Sequence, residues 1–242
     1  MSTADTRLYV IGDIHGRLDL LEQLIERINL DIKSREGDAV IVTLGDYVDR
    51  GPNSSGVLDR LANNPFEGRY VALKGNHEAL LEAYLDSPAV VGPDWWRLGG
   101  LETVKSFGVA VRPKMRRADL KRMAKQLGEA ITSKQSEFLK SLKTSLVFGG
   151  YFLCHAGVRP GISLELQSEA DLLWIRDEFL SSETDFGKVV VHGHTPRREP
   201  EVLANRINID TGAYTSGCLT CVLLDERGHR FIATGSAPTA AA

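Results

Sequence analysis

Residues 38–62 read DAVIVTLGDYVDRGPNSSGVLDRLA. The apolar run DAVIVTL is followed at once by Asp46, Asp49 and Arg50, set between Gly45 and Gly51. No core strand buries that density of charge without partners, so the run ends at Leu44 and the charges belong to a turn. The Asn and Ser residues after Pro52 then start a helix, SSGVLDRLAN. Strand, loop and helix recur on either side. RLYVI leads into GDIHG and then RLDLLEQLIERI, where Leu18, Leu21, Ile25 and Ile28 keep helical spacing, and RYVALK leads into GNHE and ALLEAYL. Such alternation predicts an α/β fold with largely parallel strands and crossover helices, with ligands gathering at the loops beyond the carboxyl ends of the strands. All three polar loops fall there.

From residue 86 to 143 the pattern changes to WWRLGGLETVKSFG and a polar helix-like stretch, which reads as a helical insertion in a single domain spanning 1–242. Arg112, Lys114, Arg116, Arg117, Lys121, Arg122 and Lys125 make it basic; this is a solvated helix face, or a guide for an anionic substrate. Trp95 and Trp96 either line a substrate groove or cover a small core of the insertion itself. The second half is rich in strands: SLVFGGYFLCHAGV, KVVVHGHT, RINIDTGA and GCLTCVLLDERGHRFIATG, with hairpins closing the sheets. His229 is expected in a surface turn, and the tail SAPTAAA is expected to fray.

The 242 residues carry 29 Lys and Arg against 32 Asp and Glu, a formal net charge of −3, which argues against bulk attraction to nucleic acid or to an anionic membrane. Any binding of phosphate must therefore be local. There is no run of 18 apolar residues and no basic-then-apolar N-terminus, so a cytoplasmic location is expected; a monomer is expected as well. Three cysteines, Cys154, Cys218 and Cys221, are too few for a disulfide framework and are expected reduced. Cys218 and Cys221 have CxxC spacing but lie in a strand-like run where positions three apart point to opposite faces, which favours core packing over a metal or redox site.

The strand-terminal loops hold Asp13 and His15, Asp46, Asn76 and His77, His155, and His194. Carboxylate, imidazole and amide oxygen together suit borderline-to-hard divalent ions such as Mn, Fe or Zn, and the lack of thiolates argues against a structural zinc knot. GDIHG, GDYVDRG, GNHE, CHAG, LLWIR, HGHT and NIDTGA resemble the signature blocks of the PPP family of calcineurin-like metallophosphoesterases. The pattern is similar to compact bacterial and phage serine/threonine phosphatases from residue 8 to about 224.

That resemblance implies a sandwich of two mixed β-sheets flanked by helices and a dinuclear centre of two divalent ions, with manganese expected first. Asp13 and His15 would hold one ion, Asn76, His155 and His194 the other, and Asp46 would bridge them. Arg50 and Arg176 would bind the phosphate, and His77 would be the general acid oriented by Asp49. Where the wider superfamily ends in GHxH this chain has Pro196, which leaves the first ion three protein ligands. His192 is then structural or supports a ligand from behind. Lys74 stands where relatives commonly have Arg and would make a weaker contact with the site. Cys154 beside His155 is read as packing, with oxidation sensing as the alternative.

The expected activity is that of a serine/threonine phosphoprotein phosphatase acting on a protein or peptide. The alternative is a symmetrical bis(5'-nucleosyl)-tetraphosphatase or a related nucleotide polyphosphate hydrolase; dinucleoside polyphosphate hydrolases usually have GNHD, so Glu78 favours the phosphatase. A catalytically silent scaffold is disfavoured, since Asp49, Arg50 and His77 are all present.

Overall fold

The computed structural model describes residues 6–112 and 116–235. Lys114 and the tail from residue 236 lie outside them. The repeated unit appears as β1 (Arg7–Ile11), α1 (Leu18–Lys33), β2 (Ala39–Thr43), α2 (Ser54–Ala62), β3 (Arg69–Ala72) and α3 (Asn76–Asp86). The helical segment forms α4 (Pro88–Arg97), α5 (Gly100–Ser106), α6 (Arg117–Ala130) and α7 (Ser133–Ser141). The strand-rich half is β4 (Ser145–Phe148), β5 (Tyr151–Cys154), α8 (Glu169–Trp174), α9 (Asp177–Leu180), β6 (Val189–His192), β7 (Glu201–Val202), β8 (Arg206–Asn208), α10 (Ala213–Ser216), β9 (Thr220–Asp225) and β10 (Gly228–Ala233).

The strands form two mixed five-stranded sheets, in the orders β10-β9-β1-β2-β3 and β4-β5-β6-β8-β7. β1, β2 and β3 are parallel, as are β5, β6 and β8, while β9, β10, β4 and β7 pair antiparallel with their neighbours and β3 is left as a parallel edge. In β1 the period of two is visible on both faces. Tyr9 and Ile11 pack with the helices, and Leu8 and Val10 pack with Leu153, Val191 and Ile207 of the other sheet. A strand buried on both faces needs apolar residues at every position, which is why RLYVI and AVIVT read as continuous runs. A third cluster, with Phe152, Leu172 and Phe179, joins the second sheet to α8 and α9. The layers are therefore helix, sheet, sheet, helix.

The helical segment has no separate core: Trp95, Val104, Met123, Leu127 and Phe138 share one cluster with Leu21 and Leu58 under the first sheet. This corrects both readings of Trp95, which is fully buried in the common core; Trp96 is half-buried. Arg112, Arg116, Lys121, Arg122 and Lys125 are exposed, with Arg122 paired to Asp119 and Lys125 to Glu129. Cys221 is in the core as expected, whereas Cys218 is half-buried just before β9. His229 is exposed but belongs to β10, because the turn is made by Glu226 and Arg227. No helix among the described residues is long and apolar enough to cross a membrane.

Candidate metal centre

The loops after β1, β2, β3, β5 and β6 converge at the carboxyl ends of the parallel strands. Among the described residues six non-glycine positions have positive φ, and five are in these loops: His15 (46°), Asp46 (54°), Asp49 (72°), Arg50 (67°) and His194 (66°). Each such backbone costs about 1–3 kcal/mol and persists only where its surroundings hold it. Glu78 is one such support. Fully buried, it accepts the backbone N–H groups of Asp46 at 2.8 Å, Tyr47 at 2.8 Å, Val48 at 3.3 Å and Gly75 at 2.9 Å. The two loops approach so closely that a Cβ on Gly75 would stand 2.2 Å from Asp46 Oδ1.

Asp46 lies at the middle. Its Oδ2 is 3.3 Å from His15 Nε2 and 3.8 Å from His77 Nε2, and its Oδ1 is 3.4 Å from His155 Nε2. The His77 N–H at the start of α3 donates to Oδ1 at 3.1 Å. Two groups of mutually close ligand atoms result, His15 with Asp46 and His77, and Asp46 with His155 and His194. Asn76 Oδ1 joins the second, 2.8 Å from His155 Nε2 and 2.9 Å from His194 Nδ1. Asp13 belongs to neither group; its carboxylate accepts the His194 backbone N–H at 3.1 Å.

The donor set fits divalent cations. His15 Nδ1 meets the Val48 carbonyl at 2.9 Å and His155 Nδ1 meets that of Leu44 at 3.0 Å. A carbonyl only accepts, so each Nδ1 holds the proton and each Nε2 turns a lone pair towards Asp46. His15 Nε2 is buried with no hydrogen-bond partner. Burial pulls the His15 imidazole down to about 3 and that of His194 to about 2, so both are neutral ligands near neutral pH. Burial, then Asp210 and Asp46, push the Asp13 carboxyl well above its usual range. Buried carboxylates crowded around unprotonated imidazoles lack positive charge, which two cations would supply.

Two guanidinium groups face this centre. Arg50 Nη2 is 3.2 Å from His77 Nε2, and Arg176 Nε donates to His194 Nε2 at 3.0 Å. Tyr214 lies under Arg50, 4.6 Å from guanidinium carbon to ring centroid, and meets His15 edge-on. His77 Nδ1 is 2.6 Å from Asp49 Oδ2. Burial alone would lower the His77 pKa, but Asp46 and Asp49 outweigh it and raise it.

A profile of calcineurin-like phosphoesterases matches residues 6–224. The chain belongs to this family. The phosphoesterase is 30% identical over 258 residues to bis(5'-nucleosyl)-tetraphosphatase PrpE [asymmetrical] of Bacillus subtilis, covering 95% of this chain and 93% of that protein. It is 29% identical over 222 residues to serine/threonine-protein phosphatase 2 of Salmonella typhimurium, covering 88% and 90%. Its fold matches the cold-active protein-tyrosine phosphatase of a psychrophile Shewanella sp. with a TM-score of 0.60 at 18% identity, over 96% of this chain and 80% of the other.

Within the phosphoesterase, Glu78 and Lys74 stand elsewhere than the sequence suggested, whereas His192 and Cys154 are packed in the interior as it suggested. Glu78 pins backbone in the interior, so it supplies no physical ground for choosing a substrate. Lys74 turns its ammonium to Glu82 at 2.7 Å and Glu169 at 3.3 Å. His192 is buried edge-on to Phe179 and belongs to neither ligand group. Cys154 is fully buried and burial pushes its thiol up, which disfavours the reactive thiolate. Trp95, Thr103 and Tyr214 touch site residues without having been singled out for that. Motif reading carried no signal for Thr103, whereas an aromatic pair before Gly99 and Gly100 was visible without its purpose.

Proposed function

We propose that this phosphoesterase is a metal-dependent phosphomonoesterase that removes phosphate from phosphoserine and phosphothreonine in proteins. The observation that carries this reading is the distribution of cations. Arg50 and Arg176 face imidazoles on opposite sides of Asp46, while Arg17 is paired with Asp19 and Lys74 with Glu82 and Glu169. Two guanidinium groups suit one phosphoryl group, whereas a polyphosphate chain calls for more cations along its length.

Asp13, His15, Asp46, Asn76, His155 and His194 would hold two divalent cations, manganese before iron or zinc. Such a pair, when bound, would lower the pKa of a water at the site and offset charge on the phosphoryl oxygens. Arg50 and Arg176 bind equatorial phosphoryl oxygens and align the ester for in-line displacement. As the P–O ester bond breaks, the proton on His77 Nε2 passes to the departing serine or threonine oxygen. Asp49 accepts from Nδ1, fixes the ring and stabilises the imidazolium before transfer.

The relative named a bis(5'-nucleosyl)-tetraphosphatase supports a second reading. So does a cavity of about 870 Å³ bounded by Arg17, Asp19, Arg50, Asn53 and Tyr214, which has room for a nucleoside. Manganese-supplemented turnover of a phosphothreonine peptide and of diadenosine tetraphosphate, at equal enzyme and with a metal-stripped control, separates them. The peptide is expected to give the larger kcat/KM. A larger value for the dinucleotide would replace the first reading with the second.

A further inference from the structure

Asp49 is fully buried, and of the three side chains that meet its carboxylate one, His77, belongs to the metal-binding loops; its backbone N–H also donates to the Ser54 hydroxyl at the start of α2 at 3.0 Å. Its Oδ2 accepts from His77 Nδ1 and, at 2.7 Å, from the indole Nε1 of Trp95 in α4. Its Oδ1 accepts from the Thr103 hydroxyl in α5 at 2.6 Å, and its backbone N–H donates to that same hydroxyl oxygen at 2.8 Å. The next residue is held by the same segment, because Arg50 N–H donates to the Gly99 carbonyl at 3.2 Å.

The paired glycines allow this. Gly99 has φ 104°, and a Cβ there would stand 2.6 Å from the Arg50 nitrogen. A Cβ on Gly100 would meet the Trp95 ring at 2.3 Å. The indole is wedged against Tyr84, ring centroids 4.5 Å apart, so Nε1 has one fixed direction. A carboxylate with one donor turns about its Cβ–Cγ bond; with Thr103 on one oxygen and Trp95 on the other its plane is set, and a remaining lone pair of Oδ2 is aimed at His77.

We infer that Trp95 and Thr103 are positioning residues: the α4–α5 segment sets Asp49, and through it the proton-donating His77, so that the helical segment governs hydrolysis of esters with poor leaving groups. The inference rests on the reading of His77 as general acid. The consequence is selective. An alkoxide leaving from a serine or threonine ester needs the proton, whereas p-nitrophenolate leaves without it.

The test uses the full-length, manganese-loaded enzyme with Trp95→Phe, Thr103→Val and Thr103→Ser, against a phosphothreonine peptide and p-nitrophenyl phosphate. Trp95→Phe keeps an aromatic ring in the core and removes the donor; Thr103→Ser keeps the hydroxyl. Trp95→Phe and Thr103→Val are expected to lower kcat on the peptide by about 10-fold or more, with KM and kcat on p-nitrophenyl phosphate within about 3-fold, and Thr103→Ser to restore the peptide rate. In the metal-free chain, the His77 Nδ1 proton resonance is expected to be lost in Thr103→Val and to return in Thr103→Ser. His77→Asn is the reference. If it loses peptide turnover selectively while Trp95→Phe and Thr103→Val lose both substrates equally, or neither, the positioning role is wrong and the general acid stands. If His77→Asn shows no such selectivity, the general-acid reading fails and the positioning role falls with it.

Discussion

On the first-sheet side of Asp46, the loops with His15, Asp49 and His77 are buried and tied from below by Glu78 and from the flank by α4 and α5. On the second-sheet side, His155 and His194 are buried too, but Arg176 is exposed and Trp174 beside His194 is 43% exposed. Of the left-handed loop residues, His15, Asp49 and Arg50 lie on the first side, His194 on the second, and Asp46 between them. If His77 donates the proton as proposed, the closely held side is the one where direction matters, and the exposed side is the one that gives access. Proton transfer needs a fixed donor within about 3 Å of its acceptor, whereas a phosphate fork tolerates approach from solvent.

Removing the residue common to both sides should have the largest effect. Asp46→Asn is expected to lower kcat by roughly 10³-fold or more and to lower the metal content found by elemental analysis after desalting. Full metal content with near-normal turnover would refute the bridging role. The arginines then separate the sides. Arg50→Lys, which also loosens the contact with Tyr214, is expected to cost about 10²-fold in kcat/KM, and Arg176→Lys about 10-fold, since a point charge replaces a planar fork. Equal losses would erase the asymmetry.

A smaller effect on chemistry with a larger one on stability is expected for Glu78→Gln. The carboxamide leaves two of the four N–H groups facing its own donor, which costs about 1–3 kcal/mol and should show as a lower Tm; metal affinity should fall with the loosened loop. An unchanged Tm would mean the loop holds its left-handed residues without Glu78. Lys74→Ala lies at the bottom of the scale, within about 2-fold in kcat/KM, because its ammonium is engaged with half-exposed acids away from the centre. A 10-fold loss would restore it to the site.

Much of this could be read along the chain because each motif follows an apolar run, and the end of a parallel strand is a place in space as well as in sequence. Asp46, Asn76, His77, His155 and His194 were found that way, and their loops converge. Trp95 and Thr103 were not, since their contacts with Asp49 span 46 and 54 residues and depend on how α4 and α5 dock under the first sheet. Glu78 shows the same limit from the other direction. It sits inside a recognised motif, but its neighbours in space are backbone amides of another loop, so the motif carried no information on what it touches.

The sequence by itself determined the α/β class, the polar loops at the strand ends, and a donor set suited to borderline-to-hard divalent ions, because periodicity and side-chain type are local properties. The tertiary structure decided which nitrogen of each imidazole faces Asp46, that Lys74 turns away, and that a helical segment reaches the carboxylate behind His77. Those depend on where carbonyls, acids and an indole from distant positions come to rest, and packing of the whole core, with its close tolerance at Gly75, Gly99 and Gly100, sets that.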